Sequence, residues 1–561
     1  MRKPAWVWAV AAVALVALLA GGWFVGSKMA THTQPVFKQI TFQRGLVPTA
    51  RFTHDGDTVV YGGQFDNDPF QMFSVRPDLL RPVPIAVSSA LLYAVSSGDQ
   101  MAIGSAASSA IVYLPHAQLA TLSEVPVSGG TPRPIAERVY AADYGPDGAL
   151  AVSRESQGWC VVEFPAGKQV YKTSGYADHL RISPDGKRVA FDDHPVKGDD
   201  RGWISVVGHD GKLSKLTPEF SEAQGLAWKS NEEIWFTASV NSESPHMLAV
   251  TLAGKQRDLL SAPSALRLQD IAAGGRVLLS TEQELYTINA VDPTGKQTPH
   301  FEVYNGSIPF DITHDGSAVV IEEFGAGSDT LYQVIYRKTD GSAPVVLGKG
   351  AAPTFSADGK SVSANLLTSP PALVIYPIGI GQTRTIPLPS LASSRYSTVL
   401  PDNKHALIGG APANGEFHAY MVNLEDGSFQ LWGPDQFIPM AVGPDGKRMA
   451  GKRFDGQAMQ TILYNIETKQ ITPLPPLGPK ENMQAWTADG AALLLNEHDT
   501  SSAWVTRLDL ATGKRTLLKK VESPDKAGDI ESNLLTSDDG KAYAFWQAAD
   551  RSTLWVVDGV K

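Results

Sequence analysis

The feature that most constrains this chain is a short phrase that recurs along most of its 561 residues. The phrase is an apolar residue, a small residue, any residue, Asp-Gly, and then a β-rich run. Its clearest copies are Ile182-Ser-Pro-Asp-Gly-Lys-Arg-Val-Ala-Phe191, Val442 to Ala450 and Phe355 to Val362. Self-similarity at a regular period predicts a repeat architecture in which each copy is one supersecondary unit.

Twelve copies can be counted, at a mean spacing of about 44 residues, which is within the range of four-stranded propeller blades. Weaker copies are centred on Gly98, Asn231, Gly274 and Asp402. The clear copies carry their aspartate at Asp55, Asp147, Asp185, Asp315, Asp358, Asp445, Asp489 and Asp539. We therefore predict an all-β protein, a β-propeller of about twelve four-stranded blades. Because rings usually have four to eight blades, two rings of six are expected, and seven plus five stays open.

The eight aspartates are predicted to be structural turn residues. Asp-Gly between two β-rich runs supplies the backbone conformations that a tight hairpin turn demands. This position accounts for the carboxylates without a catalytic or binding ring.

The two ends of the repeat predict how the propeller closes. The last copy stops after its third strand, at Trp555 to Asp558, while Val36 to Phe42 reads as a spare outer strand. Propellers close by pairing such strands within one blade. The expected ranges are a first propeller at 35–295 and a second at 296–561.

The N-terminus predicts a membrane anchor. Residues 5–26 contain no charge and are long enough to cross a bilayer, while Arg2 and Lys3 favour a cytoplasmic position for residues 1–4. A linker is expected at 27–34, with the remainder extracytoplasmic. The alternative is a secretory signal cleaved near Val25 to Ser27, which would release the chain into the periplasm.

Composition excludes some classes of function. A formal net charge of -10 without long basic runs argues against nucleic-acid binding. The single cysteine, Cys160, excludes an internal disulfide and a cysteine-based zinc site, and its apolar neighbours predict a buried, unreactive thiol.

The phrase from Ile182 to Phe191 resembles the repeat of the TolB-like propeller family, and the likeness covers nearly all of residues 37–561. A narrower likeness, in Phe37 to Gly45, Ala50 to Tyr61 and Phe65 to Arg76, is similar to the extracytoplasmic propeller of some bacterial receptor-type serine/threonine kinases. No kinase motif stands in this sequence. Any signalling role would therefore need a separate partner chain.

No catalytic or metal-binding motif is found. Gly-x-Ser-x-Gly is absent, so the sequence predicts no serine hydrolase. The nearest approaches to a metal site, Asp66-Asn67-Asp68 and Asp192-Asp193-His194, lack the spacing of a calcium loop and are expected to be surface loops. We accordingly expect no metal, no cofactor and no enzymatic activity.

The insertion at Gly104 to Ser128 could present Tyr113 and His116 to a ligand, because loops carry function in such folds. The predicted function is a membrane-anchored recognition module for a protein or a cell-envelope polymer. The first alternative is a propeller hydrolase or lyase, which two acids and a histidine in one central pocket would favour. The second is a TolB-like envelope assembly scaffold.

Overall fold

The computed structural model describes residues 34–561 with short gaps, and every regular element in this part is a β-strand. The gaps are residues 67, 88–89, 106–118, 198, 241–243, 325–331, 413–417, 436, 455–458, 479–480, 500–501 and 523–528. In the part described, no helix has the length and apolar character that crossing a bilayer requires. The predicted span at residues 5–26 lies outside the described residues.

The strands of the first half of the chain are short, apart from β9 and β22. In order they are β1 (Val36–Gln39), β2 (Gly45–Phe52), β3 (Val59–Phe65), β4 (Gln71–Val75), β5 (Val83–Ile85), β6 (Leu91–Val95), β7 (Gln100–Ser105), β8 (Ala120–Pro126), β9 (Arg133–Tyr144), β10 (Leu150–Ser156), β11 (Trp159–Glu163), β12 (Gln169–Thr173), β13 (Tyr176–Ile182), β14 (Arg188–His194), β15 (Trp203–Gly208), β16 (Leu213–Lys215), β17 (Glu222–Ser230), β18 (Glu233–Ser239), β19 (His246–Thr251), β20 (Gln256–Leu260), β21 (Ala265–Ile271), β22 (Val277–Val291) and β23 (Gln297–Thr298).

The second half repeats this arrangement and ends in the longest strand. Its strands are β24 (Ser307–Ile312), β25 (Ala318–Glu323), β26 (Gln333–Lys338), β27 (Val345–Lys349), β28 (Ala351–Phe355), β29 (Ser361–Leu366), β30 (Ala372–Pro377), β31 (Arg384–Pro387), β32 (Ser393–Val399), β33 (His405–Ala411), β34 (His418–Asn423), β35 (Phe429–Trp432), β36 (Phe437–Val442), β37 (Arg448–Phe454), β38 (Met459–Asn465), β39 (Ile471–Pro473), β40 (Asn482–Trp486), β41 (Ala492–His498), β42 (Ser502–Asp509), β43 (Arg515–Glu522), β44 (Asp529–Thr536) and β45 (Tyr543–Asp558).

Consecutive strands pair antiparallel, and the basic unit is a sheet of four. Eight sheets are separate four-stranded units: β2–β5, β13–β16, β17–β20, β24–β27, β28–β31, β32–β35, β36–β39 and β40–β43. The strands β6–β12 form one sheet of seven, in which β9 ends one unit and begins the next. The remaining sheet joins β21, β22, β45 and β1, with β23 and β44 at its other end.

The first strands of successive units face one another around a central channel. We define the N-terminal array as β1–β21 together with the parts of β22 and β45 that complete its last sheet. In this array β2 contacts β6, β6 contacts β9, and β9 contacts β13. The ring continues through β17 and β21 back to β2. The predicted all-β propeller is confirmed.

The C-terminal array comprises β23, β24–β44 and the other parts of β22 and β45. Here β24 contacts β28 and β44, β28 contacts β32, and β36 contacts β40. The predicted total of about twelve blades and the boundary between residues 295 and 296 stay predictions. The strands β22 and β45 pair over 15 residues, from Val277↔Val557 to Val291↔Tyr543, without a register shift. One part of each strand belongs to the N-terminal array and the other part to the C-terminal array.

The spare N-terminal strand closes the N-terminal array, as its sequence indicated. Val36 pairs with Asp558 and Gln39 with Trp555, so β1 becomes the outer strand beside the C-terminal strand. Phe37 meets the ring of Trp555 edge to face at 6.1 Å. Ile40, which follows β1, is buried in a cluster with side chains from β2, β3 and β45.

Hydrophobic cores lie between neighbouring sheets. One such core combines Tyr140, Cys160 and Phe164 of one unit with Phe191 and Val207 of the next. Cys160 is fully buried, which confirms the predicted burial of this thiol, and burial raises its pKa to about 11. Each unit is therefore stabilised mainly by the units on either side of it.

Replacing Ile40 by Ala tests the closure. Ile40 is 1% exposed, so Ile40→Ala is expected to lower the free energy of unfolding by about 2–5 kcal/mol, the usual cost of emptying an apolar core position. Val36, which is 65% exposed in the same segment, is the control, and Val36→Ala should change it by less than about 0.5 kcal/mol. Urea unfolding followed by tryptophan fluorescence measures both. Equal losses in the free energy of unfolding for the two variants would show that the core contacts of Ile40 do not hold the N-terminal segment in place.

Candidate functional site

The eight turn aspartates act on the backbone of their own hairpins. In each, one carboxylate oxygen accepts a hydrogen bond from the backbone N–H two residues further on, for Asp55, Asp147, Asp185, Asp315, Asp358, Asp445, Asp489 and Asp539. The left-handed residue is the following glycine, such as Gly186 with φ of 70°, whose N–H donates to the Ser183 carbonyl.

A different set of aspartates joins neighbouring units across the channel wall. Asp143 accepts a hydrogen bond from the N–H of Ile182, and Asp270 accepts one from the N–H of Phe52. In the C-terminal array Asp311 does the same for Phe355 and also accepts from Ile312. Burial raises the pKa of Asp143 and of Asp311 to about 6.

Bulges in the inner strands decide what faces each channel. The register shifts between Leu46 and Thr49 in β2 and between Asp178 and Arg181 in β13. Several bulges contain or adjoin a proline, which has no N–H to donate and is tolerated at such positions: Pro48, Pro309, Pro353 and Pro439.

The channel of the N-terminal array is lined by charged side chains. Arg51 donates to the carbonyls of Tyr93, Ala50 and Gln269, and burial lowers the pKa of Arg51 to about 9, aided by the nearby charge of Arg181. Arg181 itself donates to the carbonyls of Leu180 and Gln269. These arginines tie several inner strands together through main-chain oxygens.

Beside them lies a cluster of two acids and two histidines. Asp178 of β13 pairs directly across the hairpin with Asp192 of β14. His179 contacts both carboxylates, and His194 contacts that of Asp178. The prediction that Asp192-Asp193-His194 forms a surface loop is wrong. These residues belong to β14 and are almost fully buried, because the strand continues through them between two neighbouring sheets.

The other acidic stretch lies where it was expected. Asp66 follows β3 in a turn and Asp68 is exposed, while Asn67 lies outside the described residues. Tyr113 and His116 also lie outside the described residues. The predicted insertion at Gly104 to Ser128 includes the end of β7 and all of β8, which pair with each other. Only residues 106–119 therefore connect the second and third strands of this unit.

A cavity of about 800 Å³ occupies the channel of the C-terminal array at the end where the Asp-Gly turns lie. Inner strands β24, β28, β32, β36 and β40 form its wall. Its apolar lining includes Phe310, Ile438, Met440, Met483 and Trp486. Sequence reasoning missed this site, because its residues come from separate repeats and share no motif.

Comparison with known proteins shows the fold and no family. TolB from Acinetobacter baumannii is 16% identical and matches over 52% of this chain and 82% of its own, with a TM-score of 0.33. The tricorn protease is 14% identical over 90% of this chain and 61% of its own, at 0.32. A puromycin-hydrolysing peptidase of Mycobacterium tuberculosis is 17% identical over 53% of each chain, at 0.28.

No protein-family profile and no curated protein sequence matches the chain. The structure has a TolB-like propeller fold, and the likeness to receptor-kinase propellers stays a prediction. The prediction that the chain is not an enzyme is contradicted, because a protease and a peptidase are among the similar structures. Missing local motifs do not exclude catalysis in this fold, since catalytic residues can come from different blades.

Changing Asp311 tests the carboxylate that joins two inner strands. The pKa of Asp311 is about 6 in the folded chain and about 3.9 in an unfolded chain, so the folded chain favours the protonated carboxyl. The contribution of Asp311 to the free energy of unfolding is therefore complete below pH 4 and is lost as the pH rises through 6. From pH 5 to pH 7 the wild type should lose about 1 kcal/mol from this group. Asp311→Asn should remove that loss in urea titrations.

Asp489→Asn is the matched control. Hydrogen bonds from Thr487 and from the backbone of Ala491 lower the pKa of Asp489, so its titration is complete below pH 5. The control should therefore show the same loss in the free energy of unfolding between pH 5 and pH 7 as the wild type. If Asp311→Asn also shows this loss, Asp311 does not titrate in this range.

Proposed function

We propose that this chain is a binding protein whose C-terminal cavity takes an extended, apolar segment of a partner protein. The observation that carries the proposal is the cavity itself. Its volume of about 800 Å³ falls within the 300–1,000 Å³ typical of ligand pockets. It is also several times larger than one buried side chain needs, so a single group would leave most of it empty.

The chemistry of the lining favours apolar side chains in the ligand. Ile438 and Met440 are half-buried and alternate along β36 with fully buried residues, so their side chains stand on the channel face. Three methionines, Met440, Met449 and Met483, line the cavity, and the half-buried Met440 contributes a flexible thioether that can adapt to ligands of different shape. Thr354, Thr398 and Gln484 add polar groups that could meet main-chain atoms of a bound peptide.

An extended segment suits the approach to this site. The wall is built from five inner strands, each of which is the first strand of its sheet and pairs on one side only. An extended segment can therefore meet main-chain atoms of these strands as well as their side chains. Entry lies at the turn end, where Asp315 and Asp358 line the rim and are exposed. A partner can therefore insert one apolar stretch while its remaining part stays outside.

The anchor is part of the same proposal. Residues 5–26 are apolar over a length that would span a bacterial membrane and hold the propeller there. The basic residues that precede them favour an orientation with the bulk of the chain outside the cytoplasm. A tethered propeller would meet envelope proteins at high local concentration. Signalling would then pass through a separate partner chain.

Peptide selection tests the cavity. A random peptide library selected on the immobilised full-length chain should return sequences with an apolar core. Met440→Glu, which places a charge in the cavity, should weaken their binding by at least about tenfold, measured by isothermal titration. Met459 is 52% exposed in the same sheet, and Met459→Glu is the control that should bind as the wild type does.

Two outcomes would count against the cavity as the binding site. One is a set of selected peptides that binds equally well to both variants. The other is a selection that enriches only charged or polar sequences. Circular dichroism of the Met440→Glu and Met459→Glu chains should match the wild type, because both positions are partly exposed.

Membrane fractionation tests the anchor separately. The full-length chain is expected to stay with membranes after alkaline carbonate washing, and a version lacking residues 1–34 to be soluble. An N-terminal sequence of the mature protein that begins after residue 27 would instead support a cleaved signal.

A further inference from the structure

Two buried carboxylates face each other inside the N-terminal array. Asp178 and Asp192 are directly opposite in the β13–β14 pair, and their exposed fractions are 1% and 0%. Like charges at such positions are destabilising, and a buried carboxylate needs a partner of opposite charge. A positive group between these two side chains would therefore stabilise the array.

The contacts of the two carboxylates are incomplete. One oxygen of Asp178 lies 3.0 Å from Nδ1 of His179 and 3.2 Å from Nε2 of His194. One oxygen of Asp192 accepts the N–H of Gly225 and lies 3.2 Å from the same Nδ1 of His179. The second oxygens, Oδ2 of Asp178 and Oδ1 of Asp192, have no hydrogen-bond partner among the residues that the structure describes.

The neighbouring arginines do not neutralise this cluster, because each has its own acids. Arg51 and Arg181 lie near Asp143 and Asp270, and Arg267 pairs with Glu282 at 2.8 Å. The contacts of Asp178 and Asp192 come from the two histidines and one backbone N–H. The cluster thus carries an excess of negative charge whenever its histidines are neutral.

The arrangement matches the donor set of a metal ion. Donor atoms of Asp178, His179 and Asp192 lie within 4.8 Å of one another. Ligands about 2.1 Å from one ion stand roughly 3.0–3.4 Å apart, close to the 3.0 and 3.2 Å from Nδ1 of His179 to the two carboxylates. We propose that Asp178, His179 and Asp192 bind one divalent transition-metal ion of the Zn²⁺ or Mn²⁺ class.

The surroundings suit an ion with open positions. A cavity of about 40 Å³ borders Asp178, His179 and Arg181, which is room for a water molecule on the ion and too little for a larger ligand. Imidazole with two carboxylates favours Zn²⁺ or Mn²⁺ over Ca²⁺ and Mg²⁺, which prefer oxygen ligands alone. His179 lies at the bulge of β13, where its backbone adopts the left-handed conformation with φ of 47°.

The test is metal binding by the full-length chain after treatment with EDTA. Equilibrium dialysis against Zn²⁺ or Mn²⁺ alone, read by elemental mass spectrometry, should give one ion per chain. The electron paramagnetic resonance spectrum of bound Mn²⁺ should show coupling to one imidazole nitrogen. Ca²⁺ and Mg²⁺ should compete poorly.

His179→Asn is the decisive variant, since asparagine tolerates φ near +50° and keeps the backbone while removing the imidazole. It should lose the nitrogen coupling and bind at least about tenfold more weakly, and Asp192→Asn should also bind weakly. Asp185→Asn is the control, because Asp185 lies in the turn of the same hairpin. It should bind one ion as the wild type does.

Two results would overturn the proposal. The first is no bound ion in the wild type with any of the four cations, which would mean that protonated histidines alone balance Asp178 and Asp192. The second is an ion that His179→Asn and Asp192→Asn retain with unchanged affinity, which would place it elsewhere. Neither result bears on the C-terminal cavity, which is tested with peptides.

Discussion

The uninterrupted pairing of β22 with β45 holds the whole molecule together. Its 15 residue pairs begin in the N-terminal array and end in the C-terminal one, with Leu285 opposite Ala549 near the middle. Each strand supplies one sheet of each array, so neither array completes its last unit without the other half of the chain. Closure of the N-terminal array by β1 also depends on the far end of β45. The two arrays are therefore expected to lose their structure together.

Within this frame the inner strands decide the character of each channel. Both sets of inner strands carry bulges, and at several of them a proline or a left-handed residue turns the neighbouring side chains toward a different face. In the N-terminal array the result is a channel of arginines, acids and histidines. In the C-terminal array the same architecture encloses an apolar cavity. One repeat thus forms two sites of different chemistry, an apolar cavity and a cluster of acids and histidines.

The local turn chemistry could be predicted in full because it depends on neighbours in sequence. An aspartate that accepts the N–H two residues ahead needs no other part of the chain, and Asp185 behaves in this way like the other seven. The burial of Cys160 followed from its apolar neighbours for the same reason. The buried position of Asp192 and His194 was missed, because charged residues in a row usually indicate a loop and only packing against the next sheet reverses that expectation.

The sequence alone determined the repeat, the all-β propeller and the strand pairing that closes it, since periodic turns and alternating runs are encoded within each copy. Only the tertiary structure decided which residues meet across copies. Counted outward from the turn, an unbroken β13–β14 hairpin would place Asp178 opposite Asp193, and the one-residue bulge near His179 places it opposite Asp192 instead. The cavity walls likewise come from strands some forty residues apart. Bulges and ring closure arise from packing between units, and packing is not written in any single repeat.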